Sequence, residues 1–313
     1  MGQRNNTEIP INKNCDIIMC RDKTNRQDEN VLERKVLSDL CNIFTRHPHL
    51  KDKGVRIGIQ SSNAFAYILN GFHENRIVIK IPKNGKVDSL KYEYFIGCDI
   101  RKRLYKKIPN FMKMYGYIRK NNNEYLIIER VLPGITLREL TKPNDKCAPM
   151  YNSIKSEGLK SLVLQVLCAI QTAQNLIGFV HYDLHFGNIL IKKIHNAPEF
   201  IHYRYKHQNG VCTVNVPIVD NNIAVIIDYG RSHTSKSTKF FTKNPKLFKT
   251  YEWLTDKKRS KNVVDIRQFD RLYDTKKFCR ILANYIHDFK FNDKNIKEPH
   301  DIVVQLVNKK VNL

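Results

Sequence analysis

Apolar positions along the chain first recur at helical spacing from Asn30, where Val31, Leu32, Val36, Leu37, Leu40, Ile43 and Phe44 line one stripe. Asn30 followed by Glu33 supplies a capping-box start, so a packed helix is expected there. The polar, mixed-charge residues 1–28 before it read as a loose segment. The pattern then shortens to strands at Val55–Ile59, Phe65–Leu69 and Arg76–Ile81, with Asn70-Gly71 marking a turn. Asp88–Tyr105 returns to helical spacing, capped by Asp88 or Ser89. Phe111–Ile118 and Glu124–Ile128 read as two more strands around the polar loop Lys120–Asn123. Five strands and a helix predict a small, mostly antiparallel sheet with a helix against it.

After Pro133-Gly134 the character changes. Leu159–Leu176 is apolar on nearly every side, which marks a buried helix. Two short apolar strands follow, Ile189–Lys192 and Ile223–Ile227. Between them Glu199–Val219 reads as a hairpin turned at Asn209-Gly210, a pair suited to type I′ geometry. A basic irregular stretch, Lys236–Lys261, leads to a last long helix, Leu272–Phe289. The order divides the chain into an extension with one helix (1–49), a sheet-rich region (50–131) and a mainly helical region (132–313). The fold class is α+β.

Composition narrows the function classes. At 313 residues with 42% hydrophobic content, the chain can bury a substantial core. The longest apolar run, Ser161–Ile170, carries a Gln and is too short to span a bilayer. Met1–Pro10 is polar throughout, so no secretory leader is expected and the location reads as intracellular. The eight cysteines show no C-x-x-C and no zinc spacing, and read as reduced core thiols. The formal charge of +24 favours acidic or phosphate-rich partners, nucleic acid among them.

Three separated elements carry the chemistry. Lys80 stands inside the apolar strand IVIKI, either on a solvent face or aimed at an anion. His181-Tyr182-Asp183-Leu184-His185-Phe186-Gly187-Asn188 precedes an apolar strand directly. An Asp five residues before an Asn on such a loop sets a carboxylate near a nucleophile and an amide oxygen near a metal. Asp228-Tyr229-Gly230 follows another apolar strand, and a carboxylate at a strand end suits Mg²⁺.

Together these elements resemble the protein-kinase signature over about Arg56–Ala283, with the nearest resemblance to the compact serine/threonine-kinase-like proteins of large DNA viruses. The hairpin between Asn188 and Asp228 and the YDTKKF run at Tyr273–Phe278 carry that nearer likeness. The resemblance implies a bilobal fold, a small antiparallel-sheet N-lobe with a shortened, mainly helical C-lobe. It implies ATP and Mg²⁺ as cofactors and a protein serine or threonine hydroxyl as acceptor. Lys80 matches the lysine that holds the α- and β-phosphates, and Glu93 its ion-pair partner. Asp183 matches the catalytic base, and Asn188 and Asp228 the metal ligands. Glu129 and Val131 fall where backbone groups meet adenine, with Ile57, Val78 and Leu190 around its ring. Asp274 matches the helix aspartate that anchors the catalytic loop.

Departures from the pattern open alternatives. Gly58 matches the first phosphate-loop glycine, but Gln60 and Asn63 occupy the other two glycine positions, as a weakly catalytic pseudokinase scaffold could tolerate. Tyr182 replaces an arginine, and His185 stands where serine/threonine kinases carry a lysine. The D-L-H-x-G-N form and the short stretch after Gly230 also suit a small-molecule kinase of the aminoglycoside or choline type. Arg231–Lys261 holds ten Lys/Arg against Glu252 and Asp256, which favours an acidic protein substrate and permits nucleic acid. The chain is read as a monomer.

Overall fold

The computed structural model describes residues 9–12, 15–19, 27–46, 54–57, 64–69, 71–83, 88–120, 123–141, 154, 156–207, 210–244 and 268–283. The chain divides into two compact units. One comprises Met1–Lys102 with Lys113–Arg130, the other Arg103–Met112 with Val131–Leu313. The architecture is α+β.

The first unit is built on a seven-stranded antiparallel sheet. Its strands are β1 (Ile9–Asn12), β2 (Cys15–Met19), β3 (Gly54–Ile57), β4 (Ala64–Leu69), β5 (Ile77–Pro82), β6 (Met114–Lys120) and β7 (Asn123–Glu129), in the order β1-β2-β6-β7-β5-β4-β3. The segment before the first helix, read from sequence as loose, therefore adds two strands. β2 pairs with β6, from Cys15 against Lys120 to Met19 against Gly116. Ile17 of this short strand joins the core. Helix α1 (Gln27–Arg46) lays Val36, Leu37, Leu40, Cys41 and Phe44 on Tyr67, Ile77, Ile79, Ile118, Tyr125 and Ile127. Phe44 stacks on Tyr125 with ring centroids 4.1 Å apart. A Cβ at Gly116 would sit 2.8 Å from Leu37, so the glycine permits close approach of helix and strand.

Side chains alternate across a strand, so Ile77 and Ile79 face α1 while Val78 and Lys80 face the other way. On that second face lies helix α2 (Asp88–Arg103). Tyr94 packs beside Tyr117, and a Cβ at Gly97 would collide with Met114 at 2.3 Å.

Asn30 lies inside α1, which begins at Gln27, so Glu33 does not close the expected capping box. Glu33 is buried instead, with both carboxylate oxygens 2.6 Å from Arg101 Nη2. Lys113 Nζ is 3.0 Å from the same carboxylate, and Arg101 Nη1 donates to the Met114 carbonyl. Lys113 and the Met114 carbonyl thus add partners to a charge pair that burial alone would make costly. Contrary to the expectation of reduced thiols, Cys41 on α1 and Cys98 on α2 each take part in a disulfide. Cys168, Cys212 and Cys279 carry free thiols.

The second unit is centred on α4 (Ser156–Ile177), which follows β8 (Pro133–Thr136) and α3 (Leu137–Thr141). Around it come β9 (Ile189–Lys193), β10 (Phe200–His207), β11 (Gly210–Pro217), β12 (Asn222–Ile226), α5 (Ser237–Lys243) and α6 (Tyr273–Ala283). The strands form a hairpin, β10-β11, and a three-stranded sheet ordered β12-β9-β8. The expected hairpin is present; its Asn209 lies outside the described residues. So does the part of the last predicted helix beyond Ala283.

The outer edge of β12 is held by buried polar groups. Gln165 Oε1 on α4 accepts the Ala224 N–H at 2.8 Å, and Asn110 Nδ2 donates to the Ala224 carbonyl at 2.9 Å. Asn110 Oδ1 in turn accepts the Tyr203 hydroxyl. Met112 N–H donates to the Ile226 carbonyl, and Ile226 N–H to that of Asn110. The four bonds to the Ala224 and Ile226 backbone replace ladder bonds that a further strand would have made. The strand that delivers Asp228 is fixed to its last residue.

Candidate active site

The loop Val180–Asn188 is held by several backbone and side-chain hydrogen bonds. Val180 and His233 exchange backbone hydrogen bonds. The buried Asp274 carboxylate on α6 accepts the His181 N–H through Oδ2 at 2.5 Å and the Tyr182 N–H through Oδ1 at 2.9 Å. Burial raises the Asp274 pKa, and His181 with the two N–H bonds opposes that rise by favouring the charged form. His181 Nε2 donates to the Ile227 carbonyl at 2.8 Å, so its Nδ1 is left to accept the Asp183 N–H.

Tyr182 takes φ 59°, a left-handed conformation costly for a bulky residue. Its side chain is fixed to match. The hydroxyl donates to the Gln268 carbonyl, accepts the Asp270 N–H, and the ring packs on Tyr273. Tyr182 is thus a structural tie to the segment leading into α6.

Downstream, His185 Nδ1 accepts the Gly187 N–H at 3.1 Å and caps the short turn Phe186–Asn188. Asn188 Nδ2 donates to the Asp183 carbonyl at 3.0 Å, which makes Oδ1 the amide atom able to coordinate a cation. Ile189 pairs with Ile226, and Ile227 N–H donates to the Asn188 carbonyl. Asp228 follows at once, at φ 66° and ψ 72°. Such strain at a strand end is typical of functional positions. The charges of both Asp183 and Asp228 act on His185, so the two carboxylates share its neighbourhood. The second unit therefore brings Asp183, Asn188 and Asp228 together around one loop.

Burial lowers the His185 pKa below its ordinary 6.5, against the upward pull of Asp183 and with Lys277 and His181 adding to the depression. The unfolded chain then binds a proton that the folded chain refuses, so stability falls as pH drops from 6.5 toward the folded value. Above 6.5 the contribution is complete. The wild-type unfolding midpoint is expected to fall more steeply than that of His185→Asn as pH drops below 6.5. Parallel profiles would show that this ring titrates as in the unfolded chain.

In the first unit the expected lysine and glutamate meet. Lys80 Nζ lies 2.8 Å from both Glu93 oxygens, and the two side chains are 11% and 3% exposed. The strand places Lys80 on the α2 face, and Glu93 sits in the second turn of that helix. Val78 is buried on the same strand face, and Ile57 ends β3 half-buried. Glu129 ends β7, its N–H donating to the Lys113 carbonyl. Gly58, Gln60 and Asn63 of the proposed phosphate loop lie outside the described residues. In the second unit Val131 is buried and Leu190 is half-buried on β9.

The sequence reading missed two cations beside Asp183. Lys277 Nζ is 3.2 Å from Oδ1, and Arg231 Nη1 is 3.7 Å from Oδ2. For Lys277 a signal was present: it stands three residues after Asp274 in YDTKKF, on the same helix face.

Among the described residues no three His, Cys, Asp or Glu side chains gather as a metal site. Mg²⁺ is ordinarily held by one or two carboxylates with substrate phosphates completing its shell. Asn188 Oδ1 and the Asp228 carboxylate are hard oxygen donors of that kind. Among the described residues no helix is long and apolar enough to cross a membrane.

No family model matches the chain. It is 27% identical to uncharacterized protein 098R of Invertebrate iridescent virus 6, across 55% of this chain and 35% of that one. Probable kinase 098L of Invertebrate iridescent virus 3 is 26% identical across 40% of this chain and 22% of its own. A probable serine/threonine-protein kinase of Dictyostelium discoideum is 36% identical across 36% of this chain and 9% of its own. The chain thus spans from under a tenth to about a third of the relatives it matches. These partial similarities place it near kinase-named proteins, viral ones among them.

Proposed function

We propose that the chain is an ATP- and Mg²⁺-dependent phosphotransferase of the bilobal protein-kinase type, with a protein serine or threonine hydroxyl as acceptor. The observation that carries this reading is the loop His181–Asn188, pinned by Asp274 and Ile227 with Asp228 one residue beyond. Asp183 is the base: its carboxylate is part-exposed, its backbone is fixed, and it can orient and deprotonate an attacking hydroxyl. Lys80, held by Glu93, is the phosphate-binding cation. Asn188 and Asp228 would hold Mg²⁺, which supplies charge neutralisation to the nucleotide phosphates when bound. Glu129 and Val131 would meet adenine through backbone groups, with Ile57, Val78 and Leu190 against its ring. Kinase-named relatives with partial coverage support the class.

Charge supports an acidic protein acceptor. The +24 chain carries a basic stretch at Arg231–Lys261, of which residues 245–261 lie outside the described residues. Its field favours acidic flanks around the accepting hydroxyl, and nucleic acid would compete for the same cations.

The test is incubation with γ-labelled ATP and Mg²⁺, offering acidic and basic peptides beside aminoglycoside and choline acceptors. Label on acidic peptides is expected. Label on a small hydroxyl compound alone would replace the acceptor class, and none on any acceptor would defeat the reading. In the same assay Lys80→Met and Asp228→Asn are each expected to lower turnover about a hundredfold, a loss typical of removing one charge-stabilising group. Asp228→Asn should also flatten the dependence on Mg²⁺ concentration. An unchanged Mg²⁺ response in that variant would assign the metal to other ligands.

A further inference from the structure

Three side chains on one face of α6 hold the catalytic loop. Asp274 takes its backbone N–H groups at His181 and Tyr182, and Phe278 packs edge-on against Phe186 with centroids 5.4 Å apart. Between them Lys277, at i+3 from Asp274, reaches the Asp183 carboxylate and lies 3.5 Å from the Tyr182 carbonyl. The helix therefore sets loop backbone, loop packing and a cation from positions 274, 277 and 278, which the helical repeat places side by side.

Stability does not account for this lysine. The Lys277 and Asp183 side chains are 31% and 28% exposed, and open ion pairs of this kind contribute at most about 1 kcal/mol. His185, at the loop position where the resemblance expects a lysine, is turned onto Gly187 and carries no charge in that role. The loop itself thus lacks a cation next to its base. Arg231, at 3.7 Å, is beyond hydrogen-bond distance and lies on the segment after Asp228.

Resting on the phosphotransferase reading above, we infer that Lys277 is a further catalytic residue, a cation supplied from α6 that orients Asp183 and contacts the transferring phosphoryl group. The base must stand within hydrogen-bond reach of the attacking hydroxyl, and that oxygen closes on the γ-phosphorus. An ammonium 3.2 Å from the base, on a flexible four-carbon stem, can reach the equatorial oxygens where negative charge gathers. In the step, the hydroxyl oxygen forms a bond to the γ-phosphorus as the bond to the β,γ-bridging oxygen breaks. The hydroxyl proton passes to Asp183, ADP leaves with the bridging electron pair, and Lys277 keeps its protons throughout.

The experiment is steady-state kinetics on the full chain with MgATP and the best acceptor. Lys277→Met is expected to lower kcat about 10- to 100-fold, leave the KM for MgATP within threefold, and keep the thermal midpoint. Lys277→Arg, which keeps a displaced charge, should fall between the two. His185→Lys placed in the Lys277→Met background should regain at least tenfold, because it returns a cation to the loop. A kcat for Lys277→Met within threefold of wild type would overturn the assignment. So would an equal loss in Lys277→Arg with no gain from His185→Lys, since that pattern marks a packing role. A wild-type chain with no MgATP turnover would remove the parent reading itself, an outcome separable from both.

Discussion

Asp183→Ala is expected to lower phosphoryl transfer about 10²- to 10⁴-fold, the range that a positioned general base contributes, and to leave the fold intact. The fold should survive because the Asp183 side chain is 28% exposed and its ion-pair partners, Lys277 and Arg231, are similarly open. Water can replace such contacts at small cost. The Asp183 N–H bond to His181 and the Asn188 bond to the Asp183 carbonyl use backbone atoms, which the substitution keeps. Nucleotide affinity should change little, because a base acts on the attacking hydroxyl in the transition state. Asp183→Asn sharpens the experiment: it keeps an acceptor for Lys277 but cannot take the proton. Turnover near wild type in Asp183→Asn, measured with labelled ATP, would remove Asp183 from the base role.

Much of the fold was readable because periodicity reports which face is buried. β4, β5, β7, α2, α4 and the β10-β11 hairpin lie within a few residues of their expected spans. The misses share a cause. β1 and β2 are only four and five residues long, and Pro10, Asn12 and Asp16 break up their apolar positions, so β2 is recognised by its pairing with the edge of β6 rather than by its own pattern. Phe111 was expected to open a strand, but that strand begins at Met114. Residues 110–112 bond the end of β12 instead, a tertiary contact that local sequence cannot announce. Glu33 looked like a cap because a Glu three residues after Asn suits one; the buried Arg101 competed for it and won.

The site was legible to different depths. Lys80 with Glu93, and the Asp183–Asn188 loop before a strand, could be found because their spacing along the chain is itself the constraint. Asp274 was found by its YDTKKF context. Lys277 and Arg231 were not assigned, because their partner lies on a distant loop and only folding brings them within 4 Å of it. The left-handed backbone at Tyr182 was equally hidden, since tyrosine does not advertise that conformation.

Asp274→Ala should destabilise the second unit by about 3–5 kcal/mol, the cost of breaking a buried, hydrogen-bonded charge. The carboxylate is fully buried and accepts the N–H groups of two consecutive residues, His181 and Tyr182, at the start of the loop. Removing it leaves both donors buried without an acceptor, and each such donor costs about 1–3 kcal/mol. Tyr182 is also the residue held at positive φ, so the loop should relax first there and carry Asp183 with it. Turnover is then expected to fall together with the denaturation midpoint, unlike Asp183→Ala, where turnover falls alone. Asp274→Asn separates charge from shape: its amide oxygen can accept one N–H, while its NH₂ must face the other donor. That variant should recover little of the loss, because two donors cannot satisfy each other. Urea unfolding of both variants beside wild type measures the effect. A loss below about 1 kcal/mol for Asp274→Ala would mean that water replaces the carboxylate, and the anchoring role of α6 would have to rest on Phe278.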